Sequence, residues 1–156
     1  MPMGAPHRFA FGGAEIEVLA PASDYVPATA PKNNDSLVLR VRFGRHSFLL
    51  CGDVERQIEW RMLAEEGSKH ADVLKVAHHG SRTSTTDEFL SAVSPAFAVI
   101  SAGFENSYGH PHRDIVKRLA DHGVVALRTD QHGLITIRSD GRRLDVETYS
   151  GFLNHK

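Results

Sequence analysis

Asp72-Val73-Leu74-Lys75-Val76-Ala77-His78-His79-Gly80-Ser81 is the stretch on which the fold turns. Val73-Leu74-Lys75-Val76 is an apolar run of strand length, and two imidazoles, a glycine and a hydroxyl follow at its C-terminal end. Open α/β sheets bind their ligands at that end of the strands. Imidazole is the commonest metal-ligating side chain, and glycine lets the backbone approach a ligand closely. Two segments of the same kind flank the run, Leu50-Cys51-Gly52-Asp53 upstream and Asn106-Ser107-Tyr108-Gly109-His110-Pro111 downstream. Together the three point to metal-dependent hydrolytic chemistry.

Working outward, Glu15–Leu19 reads as a short strand that enters a loop marked by Pro21, Pro27 and Pro31. In Ser36–Phe43 the residues alternate, which predicts a half-buried strand with Leu37, Leu39, Val41 and Phe43 inward and Arg40 and Arg42 outward. Gly44-Arg45 suits a tight hairpin turn into a buried strand, Ser47–Cys51. A helix over Val54–Glu65 follows, with Val54, Ile58 and Met62 on one stripe. After the strand at Val73–Ala77, Thr85-Thr86-Asp87-Glu88 offers a capping box for a helix through Val93. Phe97–Ser101 is another strand, and Pro111 is placed to start a helix ending at His122-Gly123. Val124–Arg128 is a strand, and Ile135–Arg138 pairs with Leu144–Thr148 across Asp140-Gly141. The sum is an α/β (α+β) arrangement, a mixed sheet with helices on one face.

At 156 residues the chain is one domain, residues 1–156, with its ends at 1–14 and 149–156 expected to be flexible. Hydrophobic residues make up 41% and charged residues 24%, the balance of a globular chain rather than a disordered one. A net charge of −1 provides no global field for nucleic acid, so any such contact needs a local patch. The single cysteine, Cys51, excludes an internal disulfide and a Cys-rich zinc site. No signal-peptide pattern and no apolar run of about 18 residues is present, so the default expectation is a cytoplasmic chain unless it is excised from a membrane protein.

Each candidate site residue also has an ordinary reading. Asp53 suits the N-cap of the helix that follows it, yet a carboxylate at this sheet edge can also present an oxygen to a cation. His78 and His79 are neighbours, which on an extended chain point in opposite directions, so one of them, His79, is expected to face the site. His78 then packs behind it or meets the substrate, and Ser81 either binds an anionic group or only shapes the turn. His110 is a helix-flanking residue or a third imidazole reaching the site. Asp130 and His132 are explained by turn chemistry. His7, His46, His70, His122 and His155 have no supporting context, and Trp60 reads as a packing residue.

Asn33-Asn34-Asp35-Ser36-Leu37-Val38-Leu39, Leu49–Asp53, Ala71–Ser81, Ser101-Ala102-Gly103, Asn106–Pro111 and Thr129-Asp130 closely resemble, in that order, the metallo-β-lactamase-like domain of the ComEC competence proteins and related hydrolases. The resemblance runs from about Glu15 to Thr148. It implies an αββα sandwich that hydrolyses phosphodiesters, lactones, thioesters or β-lactams with one or two metal ions, often zinc or manganese. Asp53, His79 and His110 match catalytic and metal-binding positions, and His78, Ser81, Asn106 and Tyr108 fall beside the substrate. The resemblance also implies an H-x-H-x-D-H ligand motif upstream, which this sequence does not carry. The chain is therefore expected to be the C-terminal half of such a domain, with an incomplete ligand set, and to need its missing half or self-association. Nucleic acid or another phosphodiester is the expected substrate. A non-catalytic self-associating or partner-binding module, or a lactonase-type metallohydrolase, is the alternative.

Overall fold

The computed structural model describes residues 8–22, 25–26, 29–149 and 151–154. Its frame is a seven-stranded sheet in sequence order, β1 (Arg8–Phe11), β2 (Ala14–Ala20), β3 (Val38–Phe43), β4 (His46–Cys51), β5 (Val73–Lys75), β6 (Phe97–Ile100) and β7 (Val125–Arg128). The first four strands pair antiparallel and β4 to β7 pair parallel, so the sheet is mixed. The hairpin from β3 to β4 turns on Gly44-Arg45 as its sequence predicts, with Phe43 opposite His46. Parallel pairs require crossovers, and helices α1 (Arg56–Ala64), α2 (Asp87–Val93) and α3 (Arg113–Asp121) lie in the connections between parallel strands.

All three helices pack on one face. Ile58 and Met62 of α1, Phe89, Leu90 and Val93 of α2, and Ile115 and Leu119 of α3 meet Val38, Leu49, Leu74, Ala98 and Ile100 of the sheet in one core. On the other face a three-stranded antiparallel sheet, β8 (Ile135–Ser139), β9 (Leu144–Thr148) and β10 (Gly151–Asn154), covers the parallel strands. Leu144 and Val146 there close a second core with Val73, Phe97 and Leu127. The Gly44-Arg45 turn locks the two sheets together, because Arg45 N donates to Gly141 O at 2.9 Å and His46 bonds Ser139 Oγ at 2.6 Å. Among the described residues no helix is long and apolar enough to cross a membrane.

Several local expectations are corrected. Arg8–Phe11 and Gly151–Asn154 form strands that the sequence reading does not mark, while residues 1–7, 150 and 155–156, His7 and His155 among them, lie outside the described residues. The face of β3 is inverted. Val38 and Arg40 point into the helix-side core, Arg40 only 7% exposed, whereas Leu37 is 47% exposed. The inversion holds because Glu17 sits directly opposite Arg40 in the β2–β3 register and neutralises it. Glu17 Oε2 accepts from Arg40 Nε at 3.0 Å and Nη2 at 2.7 Å, Arg8 binds Glu17 Oε1, and Arg40 also donates to Ser68 O. Burial works to raise the Glu17 carboxyl, but the hydrogen bonds from Arg40 and Arg8 outweigh it and hold the group below the ordinary glutamate range.

Trp60 is half exposed on α1 rather than packed. The cap of α2 is Thr86, whose hydroxyl accepts from Phe89 N, and the expected box from Thr85 to Glu88 does not form. Thr85 is instead buried in a left-handed conformation, and its N–H and that of Thr86 donate to Glu59, a fully buried carboxylate on α1. Burial pushes the Glu59 carboxyl up. Helix α3 begins at Arg113, two residues beyond Pro111, and His112 caps it by accepting from Asp114 N at 3.2 Å.

Candidate functional site

Four parallel strands end side by side, and their C-terminal extensions build the site. β4 runs into Gly52-Asp53, β5 into Ala77–Ser81, β6 into Ser101-Ala102-Gly103, and β7 into the single helical turn α4 (Thr129–His132). This is the edge at which an open α/β sheet binds ligands.

Asp53 does not cap α1. The helix starts later, at Arg56 with Glu55 as its cap, which leaves the Asp53 carboxylate free to face the site. The preceding turn is pinned from the Asn33-Asn34-Asp35-Ser36 segment: Gly52 N donates to Leu37 O at 3.0 Å and Asn34 Oδ1 accepts from Glu55 N at 2.8 Å. The segment also presses on the turn, since a β-carbon on Gly52 would stand 2.6 Å from that of Ser36. Asn34 is thus a positioning residue that reading for ligands and acids overlooks.

An extended chain would turn the adjacent histidines to opposite sides, but the backbone here is coiled. His78, His79 and Gly80 all have positive φ, at 46°, 54° and 81°. Left-handed backbone costs a non-glycine residue roughly 1–2 kcal/mol, and such strain collects at functional sites. The coil is secured by His78 N donating to Gly52 O, Ser81 N to His78 O and His112 N to Gly80 O. No side chain fits at Gly80, where a β-carbon would lie 2.6 Å from that of Pro111. The result is that both rings turn to the same cluster: His78 and His79 have centroids 6.4 Å apart, and His78 and His110 5.8 Å apart.

His79 is the best-determined member. Its Nδ1 lies 2.7 Å from Ser101 O, and because a carbonyl only accepts, Nδ1 carries the hydrogen there. In the neutral ring Nε2 is then the acceptor nitrogen, and it lies 3.5 Å from Asp53 Oδ1. Two acceptors facing each other are reconciled by a proton or a cation held between them. A hydrogen bond from the far ring nitrogen to a carbonyl is also the usual way a metal-ligating histidine is oriented. The Ser101 carbonyl is itself fixed from β7, because Thr129 Oγ1 accepts from Ala102 N at 2.9 Å and lies 2.7 Å from Ala102 O. Thr129 is the second positioning residue missed by reading for acids and imidazoles.

The other candidates divide. His110 joins the cluster beside His78 and stacks on Tyr108, with centroids 6.1 Å apart and planes 27° apart. Its Nδ1 is buried without a hydrogen-bond partner, and burial first, then the neighbouring histidines, pull its pKa down. His78 is oriented by Thr83 Oγ1 at 3.5 Å and Glu55 Oε1 at 3.9 Å. Asn106 spends its amide on its own loop, donating to Gly103 O and His110 O and accepting from His110 N. Ser81 is buried with its hydroxyl 3.1 Å from that of Thr83. Asp130 is held by Arg128, and His132 Nδ1 bonds the Arg128 backbone. A cavity of about 290 Å³ opens beside the cluster, lined by His79, Ser101, Asn106, Tyr108 and His110 among others. A second, of about 340 Å³, lies between the end of β2 and α1 and has no histidine in its wall.

Asp53 and His79 therefore offer two metal donors of suitable chemistry, opposed across a short gap. Among the described residues no group of three or more His, Cys, Asp or Glu converges as a metal site does, so the pair fits part of an ion's shell and leaves the remainder to donors from outside.

No protein-family model matches the chain. It is similar to three curated proteins: "ComE operon protein 3" of Bacillus subtilis, 44% identical over 75% of this chain; "Competence protein ComA" of Neisseria gonorrhoeae, 37% over 81%; and "Recombination protein 2" of Haemophilus influenzae, 39% over 69%. The chain spans only 15%, 18% and 13% of their respective lengths.

Proposed function

We propose that this chain, a homologue of one segment of the ComEC-like competence proteins, is the part of a metallo-β-lactamase-type phosphodiesterase that supplies Asp53 and His79 to a zinc or manganese site and acts on nucleic acid during DNA uptake. The observation that carries the reading is His79 Nε2 standing 3.5 Å from the Asp53 carboxylate while its Nδ1 is held by Ser101 O. Asp53 and His79 would hold the ion together with ligands from outside the described residues. A bound divalent ion supplies a water of lowered pKa and electrostatic stabilisation of developing charge.

The chain's own residues do the rest. Ser101 O keeps the Nδ1 proton of His79, so the ring presents one fixed tautomer to the reacting centre. His110, whose pKa is drawn down by burial and by its histidine neighbours, is placed to exchange a hydrogen bond near a departing oxygen. The Asn106 amide holds the loop that presents His110 and Tyr108, so their placement is set before substrate arrives.

Calorimetric titration of the chain with Mn²⁺ or Zn²⁺ tests the site. The expected result is one site in the wild type, weakened at least about tenfold by Asp53→Ala and by His79→Ala. Equal heats in all three proteins, or none in any, overturn the assignment. Turnover of a phosphodiester under saturating Mn²⁺ that drops sharply in Asp53→Ala supports the hydrolase. Metal binding without turnover favours a partner-binding module, a reading supported by the exposed apolar side chains Phe9, Phe11, Leu37 and Leu50 on or beside the antiparallel strands.

A further inference from the structure

Tyr108 stands at the wall of the histidine-lined cavity yet is 82% exposed. One face of its ring stacks on His110, and the loop carrying both is held by three hydrogen bonds from Asn106. An exposed aromatic on a secured backbone loses little entropy on binding and offers its free face as a flat apolar platform. Arg56 and Arg82 are exposed and adjoin the cluster through Thr83, whose carbonyl accepts from Arg56 N at 2.9 Å and whose hydroxyl lies 3.5 Å from His78 Nδ1. The guanidinium of Arg56 reaches only the Arg82 carbonyl, at 3.5 Å, and neither arginine has an ion-pair partner among the described residues. Two exposed arginines joined to His78 through Thr83 and a π-face stacked on His110, itself beside His78, match a ligand that carries both anionic groups and flat rings.

From this placement we infer that Tyr108 is a nucleobase-stacking residue, and that the site takes an unpaired strand with a base on Tyr108 and its phosphates toward Arg56 and Arg82. The inference rests on the phosphodiesterase reading and deepens it by assigning the substrate a base that is free to stack, which excludes a base held inside a duplex. Stacking of a base on an aromatic side chain is tolerant of sequence, so the preference is for an unpaired base and not for a particular one.

The test is fluorescence anisotropy at low salt with EDTA present, so that binding is read without turnover. Labelled oligothymidylate is compared with an abasic strand of the same length. The wild-type chain is expected to prefer the base-bearing strand by about fivefold or more. Tyr108→Leu brings the two strands to equal affinity, and Tyr108→Phe retains the preference. Phe104→Leu also retains it, because Phe104 is 76% exposed in the same loop but does not line the cavity. Equal affinity of the wild type for both strands, no binding of either, or an equal loss in Phe104→Leu and Tyr108→Leu overturns the inference. Failure of the hydrolase reading is seen separately: metal titration and turnover then fail while the stacking preference persists.

Discussion

The two halves of the large sheet solve burial differently. In the parallel half, β4 to β7, helices cover one face and the three-stranded sheet covers the other, and every strand ends at the candidate site. In the antiparallel half, β1 to β3, only the helix side is sealed, and there by an ion pair between Glu17 and Arg40. The opposite face is apolar, buried at Val18, partly covered at Ile16, Leu39 and Val41, and open at the edge strand, at Phe9 and Phe11. Phe9 pairs with Ile16, Ile16 with Val41, and Val18 with Leu39, which puts one continuous apolar row on that side, and Phe9 is 51% exposed. Antiparallel sheets tolerate water on one face, but that face is then usually polar. The difference teaches that the site-bearing half is closed on both faces by the chain itself, whereas the other half leaves apolar side chains exposed at its edge.

The largest expected effect strikes the ion pair. Arg40→Met leaves Glu17 buried without its main partner and should cost about 3–5 kcal/mol in chemical denaturation. The double variant with Glu17→Gln should recover most of that loss. Full additivity of the two substitutions would mean that the pair is not what seals the helix side of the antiparallel half.

A smaller effect is read from acid titration of stability. Glu17 titrates below its unfolded value, so its contribution is complete above the ordinary glutamate range and is lost as pH falls through its folded pKa. Glu59, on the parallel half's helix layer, is pushed up by burial and has the opposite sign: its contribution improves as pH falls toward its unfolded value. Glu17→Gln should therefore flatten the acid limb, and Glu59→Gln should steepen it. Matching slopes in the two variants would erase the electrostatic distinction between the halves.

The smallest effect is expected at the open edge. Phe9→Ser should change stability by no more than about 0.5 kcal/mol, as surface substitutions do. A loss of several times that amount, or one that depends on protein concentration, would show the face already covered by a second copy.

The same division governs what the sequence reveals. In the parallel half, apolar runs bounded by Gly, His and capping residues mark every strand, and the ends of those strands locate Asp53, His79 and His110. In the antiparallel half, alternation alone misassigns the inner face of β3, because it scores Arg40 as solvent-seeking and cannot see Glu17 across the register. Arg8–Phe11 escapes notice as a strand because it sits near a chain end and exposes every residue. Within the site, residue types locate the histidines but not their directions. Three successive left-handed residues at His78-His79-Gly80 bring both rings to one side, and nothing in the identity of two histidines announces that backbone. Asn34 and Thr129 fall within segments that carry the family resemblance, but their roles are not legible there. They act by holding backbone, and an amide or a hydroxyl is equally ordinary in any loop.

Thr129 carries one more implication, and it concerns time. Its hydroxyl grips Ala102 from the end of the last strand to join the large sheet, and the neighbouring carbonyl of Ser101 sets the ring of His79, fifty residues earlier in the chain. During synthesis, Asp53 and His79 emerge well before the group that aims them. A nascent chain halted before β7 would carry both side chains yet lack the hydroxyl that steadies the His79 ring. The orientation of the His79 ring is thus secured late, once the sheet that supports it is complete.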